Sequence, residues 1–100
     1  MKNLDLETKY INFIKNTILS VLSNVEIFIF GSRTQGKALE YSDIDIALRC
    51  DSEIDINKIL QLKSKFSNST FPYKVDIVDL NSVDEKFLEI IKNDLVKIGD

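Results

Sequence analysis

Residues 42–48 read S-D-I-D-I-A-L, and the alternation at the start of this stretch constrains the fold more than any other feature of the chain. In an extended chain residues i and i+2 point to the same face. Asp43 and Asp45 therefore project side by side, while Ile44 and Ile46 face the other way, toward a core. Two neighbouring carboxylates repel each other unless something positive sits between them. A divalent cation is one source of that charge.

The flanking sequence sets this strand in a layered domain. Residues 25–30, V-E-I-F-I-F, form a β-branched and aromatic run that ends at Gly31, which predicts a buried strand. Gly31 opens a turn and a short helix over residues 31–38, with Gly36 placed to end it. Upstream, apolar residues at 6, 10, 11, 14, 18, 21 and 22 have helical spacing. Ile56, Ile59, Leu60 and Phe66 mark a second helix over about 54–67, followed by an S-N-S-T loop before Pro72. Residues 73–78 read as a third strand. Ser82 with Glu85 fits a capping box opening a helix with apolar positions 83, 87, 88, 91 and 95. Residues 95–98 fit either helix or a short fourth strand. The expected fold is α+β (α/β-like): a small mixed sheet of three or four strands with packed helices, in one domain over residues 1–100.

Chemistry needs a third carboxylate, and the third strand offers Asp76 between Val75, Ile77 and Val78. A charge in a strand fit for burial is costly, and metal coordination is one of the few ways to offset it. Asp79, at the strand's end, is the rival, and a solvated carboxylate there needs no explanation. Two cations about 3.5–4 Å apart can clamp a phosphoryl centre, one at the attacking oxygen and one at the leaving group. The Gly31-Ser32-Arg33 turn suits the phosphates themselves. A helix amino terminus presents free N–H groups, Gly31 permits close approach, Ser32 can donate a hydrogen bond and Arg33 can fork onto a second oxygen.

Each part alone has a plainer reading: an exposed edge face, a turn with its cap, a surface strand residue. The combination Gly-Ser-x10-Asp-x-Asp arises by chance in a chain of this length only about once in a thousand, from ordinary residue usage. Gly31-x4-Gly36-Lys37 also approaches a P-loop, but Ala38 stands where that motif needs Ser or Thr to hold magnesium.

Composition narrows the field. Histidine is absent, which removes His-based triads and His zinc sites, and the single Cys50 excludes a disulfide framework. Cys50 reads as a small hydrophobe at a strand end. Oxygen ligands alone suit a hard cation, magnesium or manganese. The 13 basic and 16 acidic residues become equal in number once Asp43, Asp45 and Asp76 are set aside. That balance argues against a nucleic-acid substrate. No run approaches the ~20 apolar residues of a membrane span, and the amino terminus lacks the apolar core of a signal peptide. A cytoplasmic protein with no membrane association is the expectation.

F-G-S-R-T-Q-G-K-A, Y-S-D-I-D-I-A and Y-K-V-D-I-V-D together resemble the DNA polymerase β nucleotidyltransferase superfamily, and in particular its minimal members. The resemblance spans nearly the whole chain. It implies that Asp43 and Asp45 bind two Mg2+ ions (or Mn2+), and that Asp76 ligates the catalytic one and helps deprotonate an acceptor hydroxyl. It further implies that Gly31, Ser32 and Arg33 hold ATP, whose α-phosphate is attacked with release of pyrophosphate. Minimal nucleotidyltransferases of this kind are similar to the antitoxins of pairs whose toxin is a HEPN-domain protein. The resemblance there implies transfer of AMP to a tyrosine of that partner. Two alternatives stand beside it: a non-catalytic module that blocks a helical partner by occlusion, and a small-molecule nucleotidyltransferase assembled with a helical substrate-binding subunit.

Overall fold

The computed structural model describes residues 6–31 and 43–99. Helix α1 (Thr8–Leu19) leads into strand β1 (Glu26–Phe30). Strand β2 (Ile44–Arg49), helix α2 (Ile56–Ser67), strand β3 (Val75–Asp79), helix α3 (Glu85–Ile91) and strand β4 (Val96–Gly99) follow. The strands form one sheet in the order β3-β2-β1-β4, with β2 and β3 parallel and the other two pairs antiparallel. The short helix expected after Gly31 lies outside the described residues. Among the described residues no helix is long and apolar enough to cross a membrane.

Strand alternation sorts the side chains into two layers. Ile27, Ile29, Ile44, Ile46, Leu48 and Ile77 face α1 and α2, where Ile14, Ile18, Ile59, Leu62 and Phe66 meet them. Burying each such side chain contributes ~1.5–3 kcal/mol, so this layer is the main source of stability. On the other face Phe30, Ala47 and Leu80 pack with Ile91 of α3, and Phe30 meets Phe87 edge-to-face at 6.1 Å between ring centroids. This second cluster is smaller.

The boundaries differ from expectation in places with local causes. The first helix ends at Leu19 rather than Leu22, and Asn24, at φ 54°, turns the chain into β1. Helix α2 starts at Ile56, because the Asp55 carboxylate accepts a hydrogen bond from the Asn57 N–H at 2.9 Å and fixes the first turn. The capping box expected from Ser82 and Glu85 does not form. Ser82 is held in the turn after β3, its backbone N–H and hydroxyl both donating to the Asp79 carbonyl. Asp84 caps α3 instead, accepting from the Lys86 N–H at 3.0 Å. Leu95 lies beyond the helix. The strand option for the carboxyl-terminal segment holds: β4 pairs with β1, and Lys97 meets Glu26 across that pair at 3.3 Å.

Candidate active site

Two neighbouring strands bring the acidic residues together, and a third ends beside them. Phe30, the last residue of β1, is paired with Asp45 of β2, and Asp45 is paired in turn with Asp76 of β3. Gly31, Asp45 and Asp76 therefore lie in a row across the sheet. Asp43 immediately precedes β2, two residues before Asp45, and shares its face. That face is the one α3 covers only in part.

The environments within the row are graded. Asp43 and Asp76 are exposed and Asp45 is half-buried. Burial, then the charge of Asp76, then that of Asp43, push the Asp45 carboxyl above its ordinary value. Both neighbours thus act on Asp45, as the strand register requires. Among the described residues no three acidic side chains stand close enough together to enclose a metal ion. The donor chemistry nonetheless fits a hard divalent cation, because every candidate ligand is a carboxylate oxygen and the strained charge on Asp45 is one a cation would relieve.

Gly31 has a role that spacing alone does not reveal. Its φ is +81°, a conformation L side chains rarely adopt, and a Cβ added there would fall on Asp45 Oδ2. The bare Cα therefore makes room for the central carboxylate, besides allowing close approach by a ligand. Ser32 and Arg33 lie outside the described residues.

The argument for Asp76 from the cost of burial is overturned: Asp76 is exposed, on a strand that lies at the sheet edge among the described residues. Its place comes from register with Asp45. Asp79, expected to be solvated, is the buried carboxylate, at 9% exposure. It faces the opposite layer and accepts from the Ile54 N–H at 2.7 Å and the Asn81 N–H at 2.9 Å, pinning the chain on both sides. Cys50 is a half-buried free thiol packed at the rim of the larger core, its pKa raised by burial and by Asp79 and Asp51.

One residue near the row was missed. The Lys74 carbonyl accepts from the Ile44 N–H at 2.9 Å, continuing the β2–β3 pairing one step toward Asp43. Its spacing of two from Asp76 was the signal available in the sequence.

Comparison with known proteins identifies the family. The family described as polymerase beta, nucleotidyltransferase, matches residues 12–98. The probable protein adenylyltransferase MntA of Haemophilus influenzae is 34% identical over 97 residues, covering 97% of this chain and 85% of that protein. A crystal structure of a toxin–antitoxin with AMP-PNP superposes with a TM-score of 0.77 at 27% identity, over 89% of this chain and 72% of that one. The fold also matches, with a TM-score of 0.74 at 23% identity, a structure of tri-AMPylated Shewanella oneidensis HEPN toxin in complex with MNT antitoxin, over 94% of this chain and 72% of that one. With a family match spanning most of the chain and a relative 34% identical over nearly all of it, this protein belongs to the polymerase beta nucleotidyltransferase family.

Proposed function

We propose that this chain is an adenylyltransferase that moves AMP from ATP onto a hydroxyl, that of a tyrosine, in a HEPN-domain partner, and so acts as the antitoxin of a toxin–antitoxin pair. The observation that carries this reading is the Gly31–Asp45–Asp76 row on a family scaffold 34% identical to a probable protein adenylyltransferase. The toxin–antitoxin setting is supported by the match, at 27% identity, to a toxin–antitoxin bound to AMP-PNP.

Asp43 and Asp45 would hold two Mg2+ ions, with Mn2+ as the substitute, and Asp76 would share one of them. When bound, the ions supply positive charge to the phosphates and lower the repulsion within the carboxylate row. Asp76 accepts the proton of the acceptor hydroxyl as that oxygen attacks the α-phosphorus. The bond from the α-phosphorus to the bridging oxygen breaks, and pyrophosphate leaves with its electron pair. Gly31 keeps the turn close to Asp45, while Ser32 and Arg33 take the triphosphate oxygens. The acid–base work rests on carboxylates, in keeping with a chain that has no histidine. A cytoplasmic location fits a partner of this kind.

Co-expression with the partner toxin tests the reading against simple occlusion. Wild-type chain restores growth, whereas Asp43→Asn/Asp45→Asn still binds the partner but fails to protect. Full protection by the double variant would instead assign the chain to occlusion.

A further inference from the structure

The pairing of β2 with β3 does not stop at the first residue of either strand. The Ile44 N–H donates to the Lys74 carbonyl at 2.9 Å, so the ladder that sets Asp45 against Asp76 continues one rung, to Asp43 and Lys74. Alternation holds through this rung. Tyr73, Val75 and Ile77 pack in the layer of α1 and α2, so Lys74 and Asp76 project to the opposite face, the face of Asp45. Asp43, Asp45, Lys74 and Asp76 thus mark the corners of one patch, three carboxylates and one ammonium.

Among the described residues the Lys74 ammonium makes no ion pair, although Asp43 and Asp76 share its face. The other basic side chains on this face of the described sheet are engaged. Lys97 pairs with Glu26 at 3.3 Å, and the Arg49 guanidinium lies over the Phe28 ring at 5.8 Å. Both contacts lie toward the Glu26–Arg49 end of the sheet, away from Asp43.

The reaction geometry says what a cation at this corner meets. In an in-line displacement the attacking and leaving oxygens lie on opposite sides of the phosphorus. With the triphosphate tail at the Gly31 turn and the acceptor hydroxyl at Asp76, the α-phosphorus sits over the Asp45–Asp76 rung. Lys74 is two residues from Asp76, about 6.6 Å along the strand at the usual rise. A flexible four-carbon stem carrying three donors spans that gap. During transfer the phosphorus moves from the Gly31 side toward β3, and so toward Lys74. A contact that strengthens on the way to the transition state raises turnover rather than substrate affinity.

We propose that Lys74 is a further catalytic residue, its ammonium donating to a non-bridging oxygen of the α-phosphate from the β3 side, an inference that rests on the nucleotidyl-transfer reading above. Ser32 and Arg33 hold the triphosphate from the Gly31 turn, and Lys74 holds the group that moves.

The test is transfer of α-labelled AMP from ATP to the HEPN partner by wild type, Lys74→Met and Lys74→Arg, repeated with the two diastereomers of adenosine 5′-(α-thio)triphosphate. Lys74→Met is expected to lower kcat about 100-fold while KM for ATP and for the acceptor stay as in wild type. Lys74→Arg recovers most of that loss. Lys74 is exposed, so the urea midpoint of Lys74→Met matches wild type. For one diastereomer the slowing caused by sulfur in wild type shrinks in Lys74→Met, because the contact that sulfur weakens is already gone. A wild-type kcat in Lys74→Met, a loss confined to KM for the acceptor, or sulfur effects undiminished for both diastereomers overturns the assignment and leaves nucleotidyl transfer standing. Absence of α-label in the partner with wild type sinks the underlying reading and this proposal with it.

Discussion

Replacing Gly31 with Ala probes the contact on which the site's geometry depends. Two costs are visible in the structure. At φ +81° an L side chain is strained by about 1–2 kcal/mol. The new Cβ also lands on Asp45 Oδ2, so the Asp45 side chain must leave its position, and an off-rotamer angle costs ~0.5–1.5 kcal/mol. Together they amount to roughly 1.5–3.5 kcal/mol. For a domain of this size that lowers Tm by roughly 6–28 °C. Urea unfolding followed by circular dichroism gives the free energies. In an Asp45→Ala background the carboxylate is gone and only the backbone strain remains, so the cost of Gly31→Ala falls, giving a coupling of about 0.5–1.5 kcal/mol. Transfer activity should fall at least ~100-fold in Gly31→Ala alone, because a displacement near 1 Å at a reacting centre costs that much. Equal costs in the two backgrounds, within ~0.3–0.5 kcal/mol, would refute the claim that Gly31 is glycine for the sake of Asp45.

Other expectations follow from the same environments. Asp76→Asn should abolish transfer while leaving stability within ~0.5 kcal/mol, since the side chain is exposed; calorimetry and the labelled-ATP assay check both halves. Asp79→Ala should cost about 2–4 kcal/mol in urea unfolding, by stranding the Ile54 and Asn81 N–H groups, yet spare the activity of the folded fraction. Asp45 carries a raised pKa, so its proton is bound more tightly in the folded state. Without metal, stability is therefore lost as pH rises from the ordinary carboxylate value near ~3.9 through the raised one. Asp45→Asn removes that loss, and in EDTA its Tm should exceed wild type by a margin that opens across this window and persists at neutral pH.

Much of this architecture is legible in residue order, and the misses have physical causes. The alternation of Asp43, Ile44, Asp45 and Ile46 sufficed to place two carboxylates on one face, because strand periodicity is local. Asp76 needed the β2–β3 register, which is set by nonlocal pairing, and the burial argument that singled it out described Asp79 better. Asp79 looked solvated because its partners, the N–H groups of Ile54 and Asn81, are backbone atoms that no residue type announces. Ser82 and Asp84 offered competing caps, and the turn after β3 occupied the first. Residues 95–98 are too few to distinguish helix from strand by period, and the decision came from the free edge of β1. Lys74 went unnoticed because a lysine before a strand is ordinary until the β2–β3 register sets it beside the carboxylates.

Transfer from ATP labelled at either the α- or the γ-phosphate, with magnesium and the HEPN partner present, measures the central claim most directly. Label should enter the partner from the α position only, and should be lost in Asp43→Asn/Asp45→Asn. Label entering from the γ position would mean phosphoryl transfer and would contradict the assignment.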